Sequence, residues 1–416
     1  MISPAPRLAR EPLLVLALVV GLGLVVRVVI GFAAVGVTFD IQSWELTYHV
    51  LVSHPLHVYS AVNSAVDPNG VPLLRFPYPP GFLPFLAAAG AIAASTGLPF
   101  HGLVKLPAIL ADTVLALVIQ DHLGWLGRPV RERLAAAALI ALSPTFGVIS
   151  GFHGQIDAFA SLPAVIAVVV WTRMPGGRRA GWAGLLIGAG AAVKILPILA
   201  LFGLLPSARN NRERVVLVGA TLAVPVALLV PFVVVDPHGV WGLRHYAGLP
   251  GFGGISMILQ PGLVRFWLYG DAIPLSGAIR ALLGAAPLLT LVSGSTVALG
   301  LLRTRVAPAV AVSVVWLAFY VFGATFEFQW LCYGIPFFLL AGRVREVAVL
   351  QALLLVPTIM IYTHPRVSQG AAIYFGFMLV VWLVMAGSLT VGAWGALAAA
   401  RRQSRPGNGR SPRAAR

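Results

Sequence analysis

Residues 13–37 read LLVLALVVGLGLVVRVVIGFAAVGV, an apolar run long enough to cross a bilayer, which needs about 20 such residues per helix. Further apolar runs recur to residue 400. Of the whole chain, 59% is hydrophobic and only 10% is charged, whereas soluble domains carry about 25% charged residues. The sequence therefore predicts an all-α fold, a polytopic membrane helical bundle with about 11–13 membrane segments.

Basic residues outnumber acidic ones by 29 to 13 and give the chain a net charge of +16. The arginines stand in short clusters between the apolar runs, which is typical of cytoplasmic loops. No aromatic-basic surface accompanies the charge, so we predict no nucleic-acid partner. Arg7 and Arg10 place the N-terminus in the cytoplasm ahead of a signal-anchor helix, and the single Cys332 gives no disulfide framework.

The same clusters divide the chain into one membrane domain, residues 1–400, and a basic tail, 401–416, which we expect to be disordered and cytoplasmic. The predicted external segments are a first loop that contains short helices, a large loop and four shorter turns, at 38–77, 236–272, 151–157, 194, 325–329 and 363–369. The turn at 194 requires the run 181–205 to break into two short helices that meet at Lys194, because arginines flank both of its ends.

One conflict concerns the runs 79–96 and 103–120. Two full crossings after an external loop would place Arg128, Arg131 and Arg133 outside the cell, against the positive-inside rule. We therefore expect that one of these two runs is not a full span, or that the first loop dips into the membrane.

Uncommon polar residues collect on the external side of this topology. The first loop carries Asp40 and Glu45, two carboxylates in a chain that has only 13. The later candidates for binding substrate are Tyr78, His153, Gln155, Asp157, Lys194, Arg244, His245 and Glu327. Ionisable groups within a membrane usually mark functional sites.

Each of these residues also has a structural interpretation. Tyr78-Pro79-Pro80 suits a helix start, and Asp157 can cap its own helix. Lys194 can pair with Asp157 without any catalytic role. Glu327 can neutralise Arg244 or Arg366, and Asp112 can pair with Lys105. Trp44, Trp241 and Trp330 suit interfacial anchors.

The order of these landmarks resembles the GT-C superfamily of glycosyltransferases that use polyprenyl-phosphate sugars. Asp40 corresponds to the acid of the first loop, and Tyr78-Pro79-Pro80 opens the next helix. Further landmarks match in order, namely Lys105 to Asp112, Gly154-Gln155-Ile156-Asp157, Lys194 and Glu327 with Pro336. The resemblance covers about residues 13–342 and is closest to the dolichyl-phosphate-glucose and dolichyl-phosphate-mannose users and their bacterial relatives.

This resemblance implies inverting transfer of a hexose, with mannose as the first choice, from a polyprenyl phosphate to a glycolipid or cell-envelope glycan. The site would face outward from a bacterial plasma membrane. Asp40 would be the general base and Glu45 its support, while Lys194 and Arg244, with His245 as a further candidate, would hold the phosphate. The other candidates would orient hydroxyl groups, and the Trp44 ring would offer a face to the sugar. Gln42 stands where the family has a second acid, so a paired-acid metal site has no support. We predict no cofactor, and a divalent cation stays open as the alternative.

A transporter or lipid-linked-sugar flippase is the alternative function, with Asp157, Lys194 and Glu327 lining a pathway. The sequence favours the enzyme, because its polar residues cluster at one surface rather than along helix centres. A non-catalytic membrane scaffold is the third possibility.

Overall fold

The computed structural model describes residues 10–63, 74–246, 248–302, 304, 306–365 and 367–404. The α-helices are α1 (Arg10–Ala33), α2 (Thr38–Ser53), α3 (Val58–Val62), α4 (Leu83–Thr96), α5 (Phe100–Leu103), α6 (Leu106–Trp125), α7 (Val130–Ala141), α8 (Pro144–Gly147), α9 (Asp157–Arg173), α10 (Arg178–Val193), α11 (Leu199–Leu204), α12 (Asn211–Val235), α13 (Pro237–Gly242), α14 (Gly254–Leu259), α15 (Val264–Tyr269), α16 (Gly277–Gly284), α17 (Ala286–Leu301), α18 (Pro308–Phe322), α19 (Leu331–Leu340), α20 (Val344–Thr363) and α21 (Gly370–Ser404). Short 3₁₀ turns and one π-helical turn, Val148–His153, connect them.

Six helical segments in the described part of the chain are long and apolar enough to cross a membrane: Arg10–Ala33, Phe100–Trp125, Val130–His153, Asn211–Val235, Val344–Thr363 and Gly370–Gly392. One pair of helices, α16 and α17, meets at an angle of 58°, and four shorter apolar helices complete a set of eleven apolar segments. The prediction of an all-α, multi-pass membrane bundle is confirmed. The first loop contains short helices, as expected, namely α2 and α3.

Helix α4 resolves the topological conflict, because both of its ends lie at the same end of the bundle. Its entry turn touches the end of α10, where a Cβ on Gly81 would come within 2.5 Å of the Ala192 carbonyl oxygen. Its exit leads through α5 to Lys105, whose Nζ donates to the Ala34 carbonyl oxygen at the end of α1, at 2.7 Å. The run 79–96 is therefore not a full span, and α6 carries the chain back to the arginines at 128–133.

Arg27, on α1, stabilises the break at the C-terminal end of α7. Helix α7 stops at Ala141, and the Arg27 guanidinium donates to the freed carbonyl of Ile140 at 2.8 Å and to that of Ala141. Its Nε also donates to Asp112 at 3.1 Å. Asp112 thus pairs with Arg27, and the predicted partner Lys105 instead donates to backbone carbonyls of α1.

Helices α18 and α19 form the centre of the bundle and are buried on nearly every side. A helix that is apolar all round belongs in such a position. At the chain's end, α21 continues to Ser404, so the first four residues of the predicted disordered tail are helical. The rest of that tail, 405–416, lies outside the described residues.

Candidate active site

Asp40 lies in the first turn of α2, just after α1 leaves the bundle. Its Oδ2 lies 2.8 Å from Nε2 of His153, and its Oδ1 accepts a hydrogen bond from Nε2 of Gln155 at 2.7 Å. The Asp40 side chain is 18% exposed. Two side chains therefore fix the orientation of a carboxylate that still reaches the surface of the bundle.

The turn His153-Gly154-Gln155 presents both of these partners. His153 ends the π-helical turn, a form that is frequent at functional sites. Gly154 has φ +91°, and a Cβ there would approach Ile41 Cδ1 to 2.8 Å, so the turn requires glycine. The carbonyl oxygen of Gly154 accepts from Nε1 of Trp44 at 3.1 Å, which ties the turn to α2.

Tyr362, at the end of α20, completes the environment of His153. Its hydroxyl lies 2.7 Å from Nδ1 of His153, on the side of the ring opposite Asp40. Tyr362 is not among the residues that the sequence predicts for the site. The only available signal was its position directly before the predicted external turn at 363–369, since an apolar helix surrounds it.

Lys194 lies where α10 ends and the backbone becomes extended, with φ −145° and ψ 142°. The predicted helix break at this residue is thereby confirmed. Lys194 Nζ donates to Oε1 of Gln155 at 2.7 Å and to Oδ2 of Asp157 at 3.0 Å, and it lies 4.6 Å from the centre of the Tyr78 ring. Asp40, Gln155, Lys194 and Asp157 thus form one continuous hydrogen-bonded row.

An aromatic wall supports this row. The ring of Trp44 stacks on Tyr78 with centroids 5.7 Å apart, and it packs against Phe82 and Phe76. Trp44 is only 1% exposed. The prediction that its ring offers a free face to a sugar is therefore wrong, because the loop's own side chains cover it.

Glu327 follows α18 and connects the row to the large loop. Its Oε1 accepts from the Tyr246 hydroxyl at 3.1 Å and from the Leu249 amide at 3.2 Å, and its Oε2 accepts from Gln329. Burial raises the pKa of Glu327 to about 7, although the charge of Lys194 nearby lowers it in part. Glu327 therefore holds the large loop through Tyr246 and Leu249.

The remaining candidates lie apart from the row. Glu45 is exposed and follows the buried Trp44. It stands five residues after Asp40 on α2, a spacing that places it on a different side of the helix. The guanidinium of Arg244 is exposed and stacks over the Trp241 ring at 4.3 Å. His245 belongs to a 3₁₀ turn, but its side chain lies outside the described part of the structure, as does Arg366.

These groups can move a proton and can contact hydroxyl groups. The Asp40 side chain offers oxygen acceptors, Gln155 donates to it directly, and Lys194 donates to Gln155. Within the described residues, no group of three or more metal-ligating side chains comes together. The absence of a cofactor stays a prediction.

The fold and site define a multi-pass helical membrane protein with an acid–amide–lysine row at one end of its bundle. No family model and no curated protein matches the chain. Among solved structures it is similar to ArnT from Cupriavidus metallidurans bound to undecaprenyl phosphate, at 15% identity and a TM-score of 0.49, over 92% of this chain and 78% of that one. It is also similar to the apo state of the same protein, at 15% identity and a TM-score of 0.42, over 90% and 77% of the two chains.

Proposed function

We propose that this protein is a GT-C-type glycosyltransferase that transfers a hexose from a polyprenyl phosphate to a hydroxyl group of a glycolipid or cell-envelope glycan. Mannose is the first choice of sugar. The observation that carries the proposal is Asp40, a carboxylate in the first loop whose two oxygens are each oriented by a hydrogen-bonding side chain. A general base must be held in position and must keep a free lone pair.

Asp40 meets both requirements. An ionised carboxylate has about four lone-pair positions, and His153 and Gln155 occupy one on each oxygen. An acceptor hydroxyl can therefore donate to a remaining position. As its oxygen attacks the anomeric carbon, the proton passes to Asp40 and the bond from that carbon to the phosphate oxygen breaks. Attack from the face opposite the phosphate inverts the configuration, and the products are the glycoside and polyprenyl phosphate.

The hydrogen-bonded row behind Asp40 fixes the orientation of the Gln155 amide group, so that its NH₂ donates to Asp40. Lys194 takes the carbonyl oxygen of Gln155, which leaves the amide NH₂ of Gln155 to face Asp40. Lys194 is itself held by Asp157. In this proposal the row orients the base and places positive charge near the departing phosphate.

The orientation in the membrane is also part of the proposal. Asp40, Asp157 and Lys194 lie at the ends of α1, α9 and α10 that are remote from the arginine clusters. Those clusters, around residues 128–133, 173–179 and 209–214, lie at the other ends of the same helices or their neighbours. The positive-inside rule then supports an extracytoplasmic site in a bacterial plasma membrane.

The test uses purified protein in lipid nanodiscs with a panel of polyprenyl-phosphate sugars, including mannose, glucose and arabinofuranose. Release of polyprenyl phosphate in the presence of a glycolipid acceptor is measured. Release with one member of the panel, lost in the Asp40→Asn variant, supports the proposal. Flux of a solute or lipid across the membrane without release of polyprenyl phosphate would favour the transporter alternative instead.

A further inference from the structure

The donor needs a cation for its phosphate, and Lys194 is poorly placed to provide it. An ammonium group has three N–H donors. Two of them serve Gln155 and Asp157, and the charge also faces the Tyr78 ring at 4.6 Å, within the range of a cation–π interaction. The Lys194 side chain is only 5% exposed, and Asp157 already balances its charge. A phosphate would have to displace these partners.

Arg75 is a cation of a different kind on the other side of Asp40. Its guanidinium lies 5.0 Å from the centre of the Phe39 ring, and its Nη1 reaches Ser43 Oγ only at 3.5 Å. Among the described residues, no carboxylate forms an ion pair with it. The residue is half-buried, so its charge is held near the protein surface.

The helix geometry places Arg75 beside the base. Phe39 and Ser43 precede and follow Asp40 on α2, by one and three residues. Ser43 neighbours Asp40 on the helix surface, because side chains three residues apart on a helix are neighbours. Arg75 therefore lies within about one helical turn, ~5–6 Å along α2, of the proposed base. A sugar ring between the two groups would present its anomeric carbon to Asp40 and its phosphate to Arg75.

The surface next to Arg75 is apolar. Phe39 is 44% exposed and Val35, just before it on the link from α1, is 51% exposed. A cation above an exposed apolar strip fits a ligand that has an anionic head and a hydrocarbon tail. A guanidinium is also the group best suited to bind phosphate through two parallel hydrogen bonds.

We propose that Arg75 binds the phosphate of the polyprenyl donor, with the isoprenoid chain leaving the site over Phe39 and Val35. This assignment rests on the proposed function and replaces Lys194 and Arg244 as the direct phosphate ligand. The negative charge on the phosphate grows as the glycosidic bond breaks, so the contact strengthens in the transition state.

The experiment measures equilibrium binding of undecaprenyl phosphate, without any sugar, to the full chain in nanodiscs. Undecaprenol, which lacks the phosphate, is the ligand control. The Arg75→Gln variant is expected to bind undecaprenyl phosphate at least ~10-fold more weakly, the usual effect of losing a charge-assisted hydrogen bond, and to bind undecaprenol as the wild type does. Arg75→Lys should recover part of the loss, because it keeps the charge but not the planar fork.

Arg178→Gln is the matched control, since Arg178 is exposed at the opposite end of the bundle, and it should bind like the wild type. Asp40→Asn should bind undecaprenyl phosphate at least as tightly as the wild type, because it removes a negative charge near the phosphate, and this separates binding from chemistry. Equal affinity of Arg75→Gln and wild type for undecaprenyl phosphate would overturn the assignment of Arg75 alone. No preference of the wild type for undecaprenyl phosphate over undecaprenol would overturn the proposed function with it.

Discussion

Replacement of Asp40 by asparagine should remove catalysis and leave the fold intact. Asparagine has the same shape, its oxygen can accept from Gln155, and its NH₂ can donate to Nε2 of His153 if the histidine proton moves to Nδ1. Nδ1–H then donates to the Tyr362 hydroxyl, which can act as either donor or acceptor. The number of hydrogen bonds is unchanged, so we expect the free energy of unfolding to change by less than ~1 kcal/mol.

The catalytic loss should be much larger. A positioned general base contributes about 10²–10⁴ to the rate, which corresponds to about 2.7–5.4 kcal/mol in the activation free energy. The assay is the rate of polyprenyl-phosphate release by purified protein at saturating donor. Thermal unfolding, followed by tryptophan fluorescence, shows in parallel whether the variant is folded.

Asp121→Asn is the control for this substitution. Asp121 is an exposed acid at the other end of the bundle, paired with Arg173 at 2.6 Å, and its variant should keep wild-type turnover. A folded Asp40→Asn protein with wild-type turnover would refute the assignment of Asp40 as the base. A large loss of stability would instead refute the account of how His153 changes its tautomer.

Four further outcomes follow from the same geometry. Lys194→Met should destabilise the protein by about 3–5 kcal/mol, because it leaves Asp157 buried without its ion-pair partner. The double variant with Asp157→Leu should recover most of that loss in denaturant unfolding. Equal stability of the single and double variants would contradict the pairing. Glu45→Gln should keep turnover within ~2-fold, since a solvated side chain away from the site rarely matters, and a loss as large as that of Asp40→Asn would return Glu45 to the active site. The pKa of Glu327 is raised to about 7 from an ordinary 4.5, so the folded state binds more protons than the unfolded state between these pH values, and stability should fall as pH rises from 4.5 to 7. Glu327→Gln should flatten this pH dependence of the unfolding midpoint. An unchanged slope would contradict the buried carboxyl group. Reporter fusions within 126–129 should report a cytoplasmic position, and an external signal would overturn the placement of α4 outside the set of spans.

Much of the site was predictable because each of its parts begins or ends an apolar run. Asp40 follows the first run, Asp157 begins α9 and Lys194 ends α10, so hydrophobicity and arginine positions alone placed them at one side of the membrane. The hydrogen bonds that link Asp40 to Lys194 through Gln155, and Lys194 to Asp157, agree with that placement.

Other features could not be read from the sequence, because a run of apolar residues does not show which face of a helix is buried. Glu45 and Asp40 are both acids of the first loop, yet only Asp40 turns toward His153 and Gln155. Trp44 suited a sugar-binding surface, but neighbouring aromatic rings cover it. Arg27 was hidden within an apolar run, although it pairs with Asp112 across 85 residues of sequence.

The sequence by itself determined that the chain is a multi-pass helical membrane protein and which segments come out on the same side. Bilayer thickness sets the length of each apolar segment, and the charge of the loops sets its direction, so both can be inferred from local composition. Only the tertiary structure decided that α4 stays at one end of the bundle, that Tyr362 supports His153, and that Arg75 contacts Phe39 and Ser43 on α2. Those facts depend on side-chain directions and on contacts between distant segments, which packing determines once the helices assemble.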